Sequence, residues 1–300
     1  MHRAPALVCW SSVILPWGRF PLSKSGDPLI IDFHTHIYPE PSAAKTLTAV
    51  QSRAGISSFS DGTLRGLLKS MDKAGIALSV VCSVATKPEM VESTHQWFES
   101  IQNSRILPFA TMHPDLPAVP EEVLALQKMG FKGFKVHPDY QGFFVDDRRV
   151  YPFYEAAEAA GMIILFHSGL DRGLPRPIHS TPERLAKVHR DFPSLRMVAA
   201  HMGGEAVFDE TERYLLGRDI FMDTSFVLRI MPPTLLERFM RKHPVERILF
   251  GSDSPWTDQS EELSFLMKLP FLSEQEKKKI TGKNAAELLG LPKSLNPAPR

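Results

Sequence analysis

The chain has 300 residues, and its 35 basic and 34 acidic side chains leave a formal charge of +1. This balance argues against nucleic acid or a membrane surface as a partner, because both require an excess of basic residues. Apolar residues make up 43% of the chain, which excludes a largely disordered state. The cysteines are Cys9 and Cys82, so a disulfide framework and a thiolate zinc cluster are also excluded.

Residues 1–28 differ from the rest of the chain, because prolines interrupt every helical or strand pattern there. The apolar stretch 4–17 is shorter than the roughly 20 residues that span a bilayer. A secretory signal is the less favoured alternative, since only Arg3 precedes the stretch and no small-residue cleavage site follows it. We expect residues 1–28 to be a disordered extension and residues 29–300 to form one cytoplasmic domain.

From residue 29 onward, short apolar runs alternate with amphipathic segments. The runs are rich in β-branched and aromatic residues, which predicts strands over 29–35, 77–84, 106–111, 132–137, 162–167, 196–201, 219–224 and 247–252. The segments between them have helical periodicity, which predicts helices over 63–75, 89–103, 118–129, 150–160, 182–191, 204–217, 234–242 and 261–269.

The predicted strand ends recur about every 31 residues between residues 36 and 253, close to the roughly 30 residues of a βαβ unit. Eight such units favour an α/β fold, a (β/α)8 TIM barrel. The alternative is an open doubly wound sheet, but the glycine-rich phosphate loop of that fold is missing from the sequence. The first interval is longer and is predicted to contain a loop, 37–62, of a length that often forms a lid.

Six of the 11 histidines lie at or just past predicted strand ends: His34, His36, His113, His137, His167 and His201. In a barrel the C-terminal strand ends converge on the face where catalysis takes place. Because side chains alternate along a strand, His34 and His36 point the same way and can reach one ion. Two neutral imidazoles suit zinc and other divalent metals, whereas two histidines bonded to the backbone are the structural alternative.

Two further strand ends carry histidines, and an aspartate follows the last strand. His167 ends the fifth predicted strand, His201 ends the sixth, and Asp253 follows the eighth. A carboxylate complements a set of histidines, because it partly neutralises the cation. Each residue alone could be a buried histidine or a helix cap, but their shared position favours one common site.

These motifs resemble the amidohydrolase superfamily, in the amidohydrolase-related branch (Amidohydro_2) that includes aminocarboxymuconate semialdehyde decarboxylase and related lyases and lactonases. The resemblance covers about residues 29–291 and rests on IDFHTH (31–36), FATMHPD (109–115), GFKGFKVHPD (130–139), LFHSG (165–169), AHMGG (200–204), LFGSDSPW (249–256) and KITGKNAAELLGL (279–291). It implies that one divalent ion, expected to be zinc (Zn²⁺), is bound by His34, His36, His167 and Asp253. It also implies that His201 acts with Asp253 in catalysis.

The fourth predicted strand bears on the number of metals. Relatives with two metals carry a carboxylated lysine or a glutamate there, whereas this strand ends Lys135-Val136-His137-Pro138, which the resemblance associates with one metal. Lys135 and His137 share a face of the strand. Three alternatives stay open: carboxylation of Lys135, His137 as an additional ligand, and contact of Lys135 with a substrate carboxylate.

The predicted reaction is hydrolysis of a C–N or C–O bond in an amide, lactone or ester. A metal of this kind lowers the pKa of bound water toward about 7, and Asp253 and His201 can move protons. The alternative, a non-oxidative decarboxylase, would use the same residues. A non-catalytic metal-stabilised barrel is disfavoured because it needs no His201. A metal-dependent deoxyribonuclease is disfavoured because the fourth strand lacks a glutamate.

Substrate contacts are predicted from the strand ends and the loops that follow them. The predicted contacts are Lys135, His137, Arg172, Arg176 and Trp256. Arginine matches carboxylates, which favours an acidic small molecule as the partner, although solvated loop arginines are an equal alternative. Tyr38 and Phe59 are expected to wall the same pocket. A homodimer is left open.

Overall fold

The structure is a computed structural model that describes residues 29–101 and 103–292. The predicted N-terminal extension lies outside the described residues. Eight strands pair in parallel and in chain order. They are β1 (Ile31–Thr35), β2 (Leu78–Cys82), β3 (Ile106–Thr111), β4 (Gly133–Val136), β5 (Ile163–Phe166), β6 (Arg196–Ala199), β7 (Phe221–Asp223) and β8 (Ile248–Leu249).

Backbone hydrogen bonds join the segment that follows β8 to β1 and complete the circle. The N–H of Phe33 donates to the carbonyl of Phe250 at 2.8 Å, and the N–H of Asp253 donates to the carbonyl of His34 at 2.8 Å. The predicted (β/α)8 TIM barrel is therefore confirmed.

The helices of the described residues surround the strands. They are α1 (Glu40–Ala54), α2 (Leu64–Ala74), α3 (Met90–Ser100), α4 (Val119–Lys128), α5 (Pro138–Gln141), α6 (Tyr151–Ala159), α7 (Pro182–Asp191), α8 (Phe208–Tyr214), α9 (Pro233–Lys242), α10 (Gln259–Met267), α11 (Glu274–Lys278) and α12 (Asn284–Leu288). Each predicted helical segment overlaps one of them, although α9 and α10 begin one and two residues earlier than predicted. Capping explains where α7 begins, because the Thr181 side chain accepts a hydrogen bond from the N–H of Arg184. None of these helices is both long and apolar enough to cross a membrane.

Helix α1 corrects one sequence prediction, because it occupies most of the interval 37–62 that was expected to be a loop. Pro39 and Pro41 suggest a break in the pattern. However, Pro41 lies in the first helical turn, where its missing N–H has no helical partner to lose. The helix ends at Gly55, which takes the left-handed conformation with φ 66°. This added helix forms a wall of the site described below.

Apolar side chains fill the interior of the barrel. The inner cluster includes Phe33, Phe109 and Leu165, and α12 packs against it beside Leu29, which precedes β1. The rings of Phe33 and Phe109 meet edge to face, with centroids 5.6 Å apart. Because apolar side chains close the N-terminal end of the barrel, a polar site can form only at the C-terminal ends of the strands.

An irregularity in β1 directs the His34 side chain toward the cavity at the C-terminal ends of the strands. The pairing of β1 with β2 shifts register between Asp32 and Thr35, as at a β-bulge. Phe33 packs in the inner cluster, whereas the Asp32 carboxylate accepts a hydrogen bond from Gln259 of α10 at 2.7 Å. Strict alternation would put Phe33 and His34 on opposite faces. The bulge lets one short strand both fill the barrel and supply a site residue.

Candidate metal centre

Three side chains from opposite ends of the chain meet where β1 ends and where the chain leaves β8. Oδ1 of Asp253 lies 3.0 Å from Nε2 of His36 and 3.4 Å from Nε2 of His34. These three residues form a group that could hold a metal ion. Their spacing suits ligand atoms that each lie about 2.0–2.2 Å from one ion. The structure thus brings together three of the four predicted ligands.

The hydrogen bonds of the two imidazoles show that a cation fits this group. Nδ1 of His36 lies 2.6 Å from the carbonyl oxygen of Cys82, so Nδ1 carries the proton and Nε2 keeps a lone pair. Nδ1 of His34 donates to Oδ2 of Asp223 at 2.9 Å, which leaves its Nε2 in the same state. Two lone pairs therefore face the Asp253 carboxylate, an arrangement that a divalent ion stabilises.

The fourth predicted ligand, His167, lines the same cavity but lies outside this group of three. Its Nδ1 lies 3.1 Å from Nε2 of His201, and its buried Nε2 has no hydrogen-bond partner in the described part of the chain. Nδ1 of His201 lies 3.0 Å from the carbonyl of Ser225, so His201 carries its proton on Nδ1. The Nδ1–H of His167 therefore donates to His201, and Nε2 of His167 is left as a site for a metal or water.

Asp223 and Ser225, at and just after the end of β7, are residues that the sequence analysis missed. The Asp223 carboxylate accepts hydrogen bonds from the His34 ring and, at 3.0 Å, from the backbone N–H of His201. Both residues are fully buried. The available signal was a carboxylate at the end of predicted strand 219–224. It was missed because that strand carries no histidine.

Backbone strain marks two residues of the site. His201 has φ 59° and Asp253 has φ 71°. Residues other than glycine seldom adopt this left-handed conformation, and those that do concentrate at active sites. Both residues are predicted acid–base groups, so the strain supports a functional role for them.

Burial and neighbouring charges determine protonation at the centre. Burial, reinforced by the Lys135 ammonium, lowers the pKa of His34 to about 3 and keeps its imidazole neutral. Burial by itself would raise the pKa of Asp253, but the charges that His34 and His36 carry when protonated lower it to about 2, and a bound cation would act in the same direction. The centre thus combines a neutral imidazole with an ionised carboxylate, the protonation states that metal binding requires.

Lys135 and His137 face the same cavity, as their shared strand face predicts. Lys135 is 1% exposed, its Nζ lies 2.9 Å from Nε2 of His34, and burial lowers the pKa of its ammonium group. The His137 ring stacks on His167 with centroids 3.9 Å apart, and its Nε2 lies 3.1 Å from the Asp171 carboxylate. His137, His167 and Asp171 form a second group whose ligand atoms lie close enough together to hold a metal ion.

These side chains form the floor of a cavity of about 810 Å³, a size that suits a small-molecule ligand. Helices α1 and α3 supply walls, and Tyr38 and Trp256 line the cavity as predicted. Phe59 and Arg176 are exposed and do not line it. The structure therefore brings every predicted catalytic, metal-binding and substrate-contact residue except Arg176 into one cavity, whereas the predicted wall residue Phe59 lies outside it.

The model of the Amidohydrolase family (Amidohydro_2) matches residues 31–291. The chain belongs to this amidohydrolase family. The match confirms the resemblance that the sequence motifs indicated, over nearly the same residues. No curated protein matches the chain significantly.

Solved structures similar to this amidohydrolase include decarboxylases. The 5-carboxyvanillate decarboxylase of Sphingomonas paucimobilis has a TM-score of 0.68 and 17% identity, covering 89% of this chain and 100% of that one. The dihydroxybenzoic acid decarboxylase of Polaromonas sp. JS666, with bound manganese and the inhibitor 2-nitroresorcinol, has a TM-score of 0.66 and 18% identity, covering 90% of this chain and 98% of that one. The 2,6-dihydroxybenzoate decarboxylase of Rhizobium has a TM-score of 0.64 and 18% identity, covering 88% of this chain and 99% of that one. At these identities the likeness shows the barrel fold.

Family membership makes this amidohydrolase a metal-dependent enzyme, with the histidine–aspartate group as its candidate metal site.

Arg172, one of the predicted substrate contacts, already forms an ion pair within the protein. Nε of Arg172 lies 2.7 Å from Oε1 of Glu205, and the guanidinium lies 5.2 Å from the centroid of the Phe226 ring. The Glu205 side chain is 6% exposed and that of Arg172 is 46% exposed, so Arg172 neutralises a buried carboxylate from the solvent side. Lys135, rather than Arg172, is the cation beside the metal-binding group.

Proposed function

We propose that this amidohydrolase is a metal-dependent, non-oxidative decarboxylase of a small carboxylic acid. The observation that carries the proposal is the Lys135 ammonium, buried among the metal-binding side chains and 2.9 Å from Nε2 of His34. A carboxylate bound here would contact this second cation, whereas a neutral amide or ester would leave it with only the longer-range attraction of Asp223 and Asp253. The similar solved structures named above are decarboxylases, which supports the same interpretation.

We propose that the enzyme holds one divalent ion through His34, His36 and Asp253, with His167 as the fourth ligand. Three imidazoles and a carboxylate suit Zn²⁺, although the similar Polaromonas enzyme contains manganese. When bound, the ion supplies positive charge that holds and polarises oxygen atoms of the substrate. Elemental analysis of protein purified without chelator should find about one ion per chain, and two ions would contradict the proposal.

The side chains of the cavity can supply the proton that decarboxylation consumes. The bond to the carboxylate carbon breaks, CO₂ leaves, and the electron pair stays on the substrate carbon, which then takes up one proton. His201 keeps its Nδ1 proton on the Ser225 carbonyl, so its Nε2 is the atom that can hold or deliver another. The Asp253 carboxylate is the second group that can move a proton there.

The cavity walls favour a planar acid. Trp97, Phe226 and Trp256 line the space above the polar floor. Aromatic walls of this kind stack well on flat apolar ligands. Aromatic and enol acids also delocalise the electron pair that decarboxylation leaves behind. We propose these acids as the substrate class.

The proposal is tested by screening the metal-loaded enzyme against 5-carboxyvanillate, 2,6-dihydroxybenzoate and enol acids, with detection of CO₂. In D₂O the product should carry deuterium at the carbon that lost the carboxylate, and chelation should abolish turnover. Lactones, esters and amides are screened in parallel, because hydrolysis is the reaction that the sequence favoured. Hydrolysis without CO₂ release would overturn the proposal in favour of a hydrolase. Inactivity toward both panels would favour a non-catalytic barrel.

A further inference from the structure

The Ser225 hydroxyl lies between two functional imidazoles and a carboxylate. Its Oγ is 2.9 Å from Nδ1 of His34, 3.0 Å from Nδ1 of His201 and 2.5 Å from Oδ1 of Asp223. All four side chains are buried, with at most 2% exposure. His34, a proposed metal ligand, and His201, a proposed acid–base group, therefore both contact the Ser225 hydroxyl, which is bonded to Asp223.

The direction of each hydrogen bond follows from the acceptors present. An ionised carboxylate only accepts, so the Ser225 hydroxyl donates to Asp223 and its lone pairs face the two rings. His201 must donate from Nδ1, because the carbonyl of Ser225 also lies 3.0 Å from that atom. His34 donates from Nδ1 to Asp223 and Ser225. Both imidazoles therefore carry the proton on Nδ1 and a lone pair on Nε2. That of His34 faces Asp253, and that of His201 accepts from His167.

Both oxygens of the Asp223 carboxylate already accept hydrogen bonds in this arrangement. Its Oδ1 accepts from the Ser225 hydroxyl and from the backbone N–H groups of Ser225 and His201, at 3.1 and 3.0 Å. Its Oδ2 accepts from His34. An amide at this position would accept through one atom only and would present N–H groups from the other. The position thus requires a charged acceptor rather than a group of similar shape.

We propose that Asp223 and Ser225 act as one positioning unit that sets the tautomer of His34 and aligns the ring of His201. Metal retention through His34 and proton transfer through His201 then depend on the same carboxylate and hydroxyl. The part that concerns turnover rests on the function proposed above. The part that concerns metal affinity does not, since it can be measured without a substrate.

The test compares Asp223→Asn, Ser225→Ala and the double variant, with metal affinity measured by competition against a chromophoric chelator. We expect Asp223→Asn to weaken metal binding about 10–100-fold, as loss of an outer-sphere carboxylate does. Ser225→Ala should lower kcat about tenfold while KM changes less than about twofold, because His201 loses its alignment but substrate contacts remain. In the Asp223→Asn background, Ser225→Ala should add little, because the two side chains act together.

Thr224→Val is the matched control. Thr224 is equally buried between the two residues, but its hydroxyl bonds to the backbone of Gly251 rather than to an imidazole. We expect this variant to unfold at a lower temperature and to keep its metal affinity and kcat. Wild-type metal affinity in Asp223→Asn, or equal losses in Thr224→Val, would overturn the proposal. If wild-type enzyme releases no CO₂, the proposed function fails, and metal affinity alone decides the positioning role.

Discussion

Oδ1 of Asp253 lies 3.0 Å from Nε2 of His36, although 217 residues separate the two along the chain. The contact forms because the segment after β8 closes the barrel against β1, where the N–H of Asp253 donates to the carbonyl of His34 at 2.8 Å. The same contacts therefore close the barrel and assemble the candidate metal-binding group. Mutations where the segment after β8 meets β1 should affect both the candidate metal site and the fold.

Asp253→Asn should remove both metal and activity. An amide keeps the shape of the side chain but offers a neutral oxygen to the ion and to Nε2 of His36. We expect metal affinity and turnover each to fall more than about tenfold, at least the effect of losing an outer-sphere partner. Metal content per chain and CO₂ release after metal loading measure the two effects. An Asn variant that retains a full complement of metal would show that Asp253 is not a ligand.

His201→Ala should separate metal binding from catalysis. His201 contacts His167 and Ser225 but is not in the group formed by His34, His36 and Asp253. We expect metal affinity to stay close to that of the wild type while turnover falls about 10²–10⁴-fold, the usual effect of losing an acid–base group. The same two assays apply. Metal loss as large as that of Asp253→Asn would place His201 among the ligands.

Lys135→Met should weaken substrate binding without unfolding the protein. The methionine fills similar space, and removing a buried ammonium relieves a desolvation cost, so the melting temperature should not fall. We expect KM for a carboxylate substrate to rise about tenfold, as for a lost charge-assisted contact of about 1.4 kcal/mol. Lys132→Met, an exposed position just before β4, is the control. An unchanged KM in Lys135→Met would remove the main support for an acidic substrate.

Glu262 on α10 should make stability depend on pH. It is 2% exposed, and its Oε2 has no hydrogen-bond partner within the described ranges. Burial raises its pKa from 4.5 to about 7, an effect that Arg229 opposes and that Glu261, Asp32 and Asp258 reinforce. Between these values the folded protein holds a proton that the unfolded chain releases. The free energy of unfolding therefore falls as the pH rises from 4.5 to about 7.

Glu262→Gln is neutral at every pH, so this variant should lose that dependence. We expect the variant and wild type to melt alike below about pH 4.5, and the variant to melt several degrees higher near pH 8. Thermal unfolding at both pH values is the measurement, with the exposed neighbour Glu261→Gln as the control. Identical melting of Glu262→Gln and wild type at alkaline pH would show that the carboxyl ionises normally.

Local pattern was sufficient to predict most of the fold. The run IILF in β5 and the capped segment of α7 are each recognisable from neighbouring residues, because their periodicity or capping chemistry is local. Helix α1 was missed because prolines near its start resemble a break. The bulge in β1 was missed because strand register depends on the partner strand.

The sequence by itself determined that His34, His36, His167, His201 and Asp253 share one end of the barrel, because parallel strands of a closed sheet must end together. Only the tertiary structure decided which neighbours those residues have. It buried Asp223 and Ser225 beside two of the imidazoles and joined Arg172 to Glu205. Such contacts depend on loop paths and side-chain directions, which no local pattern of residues specifies.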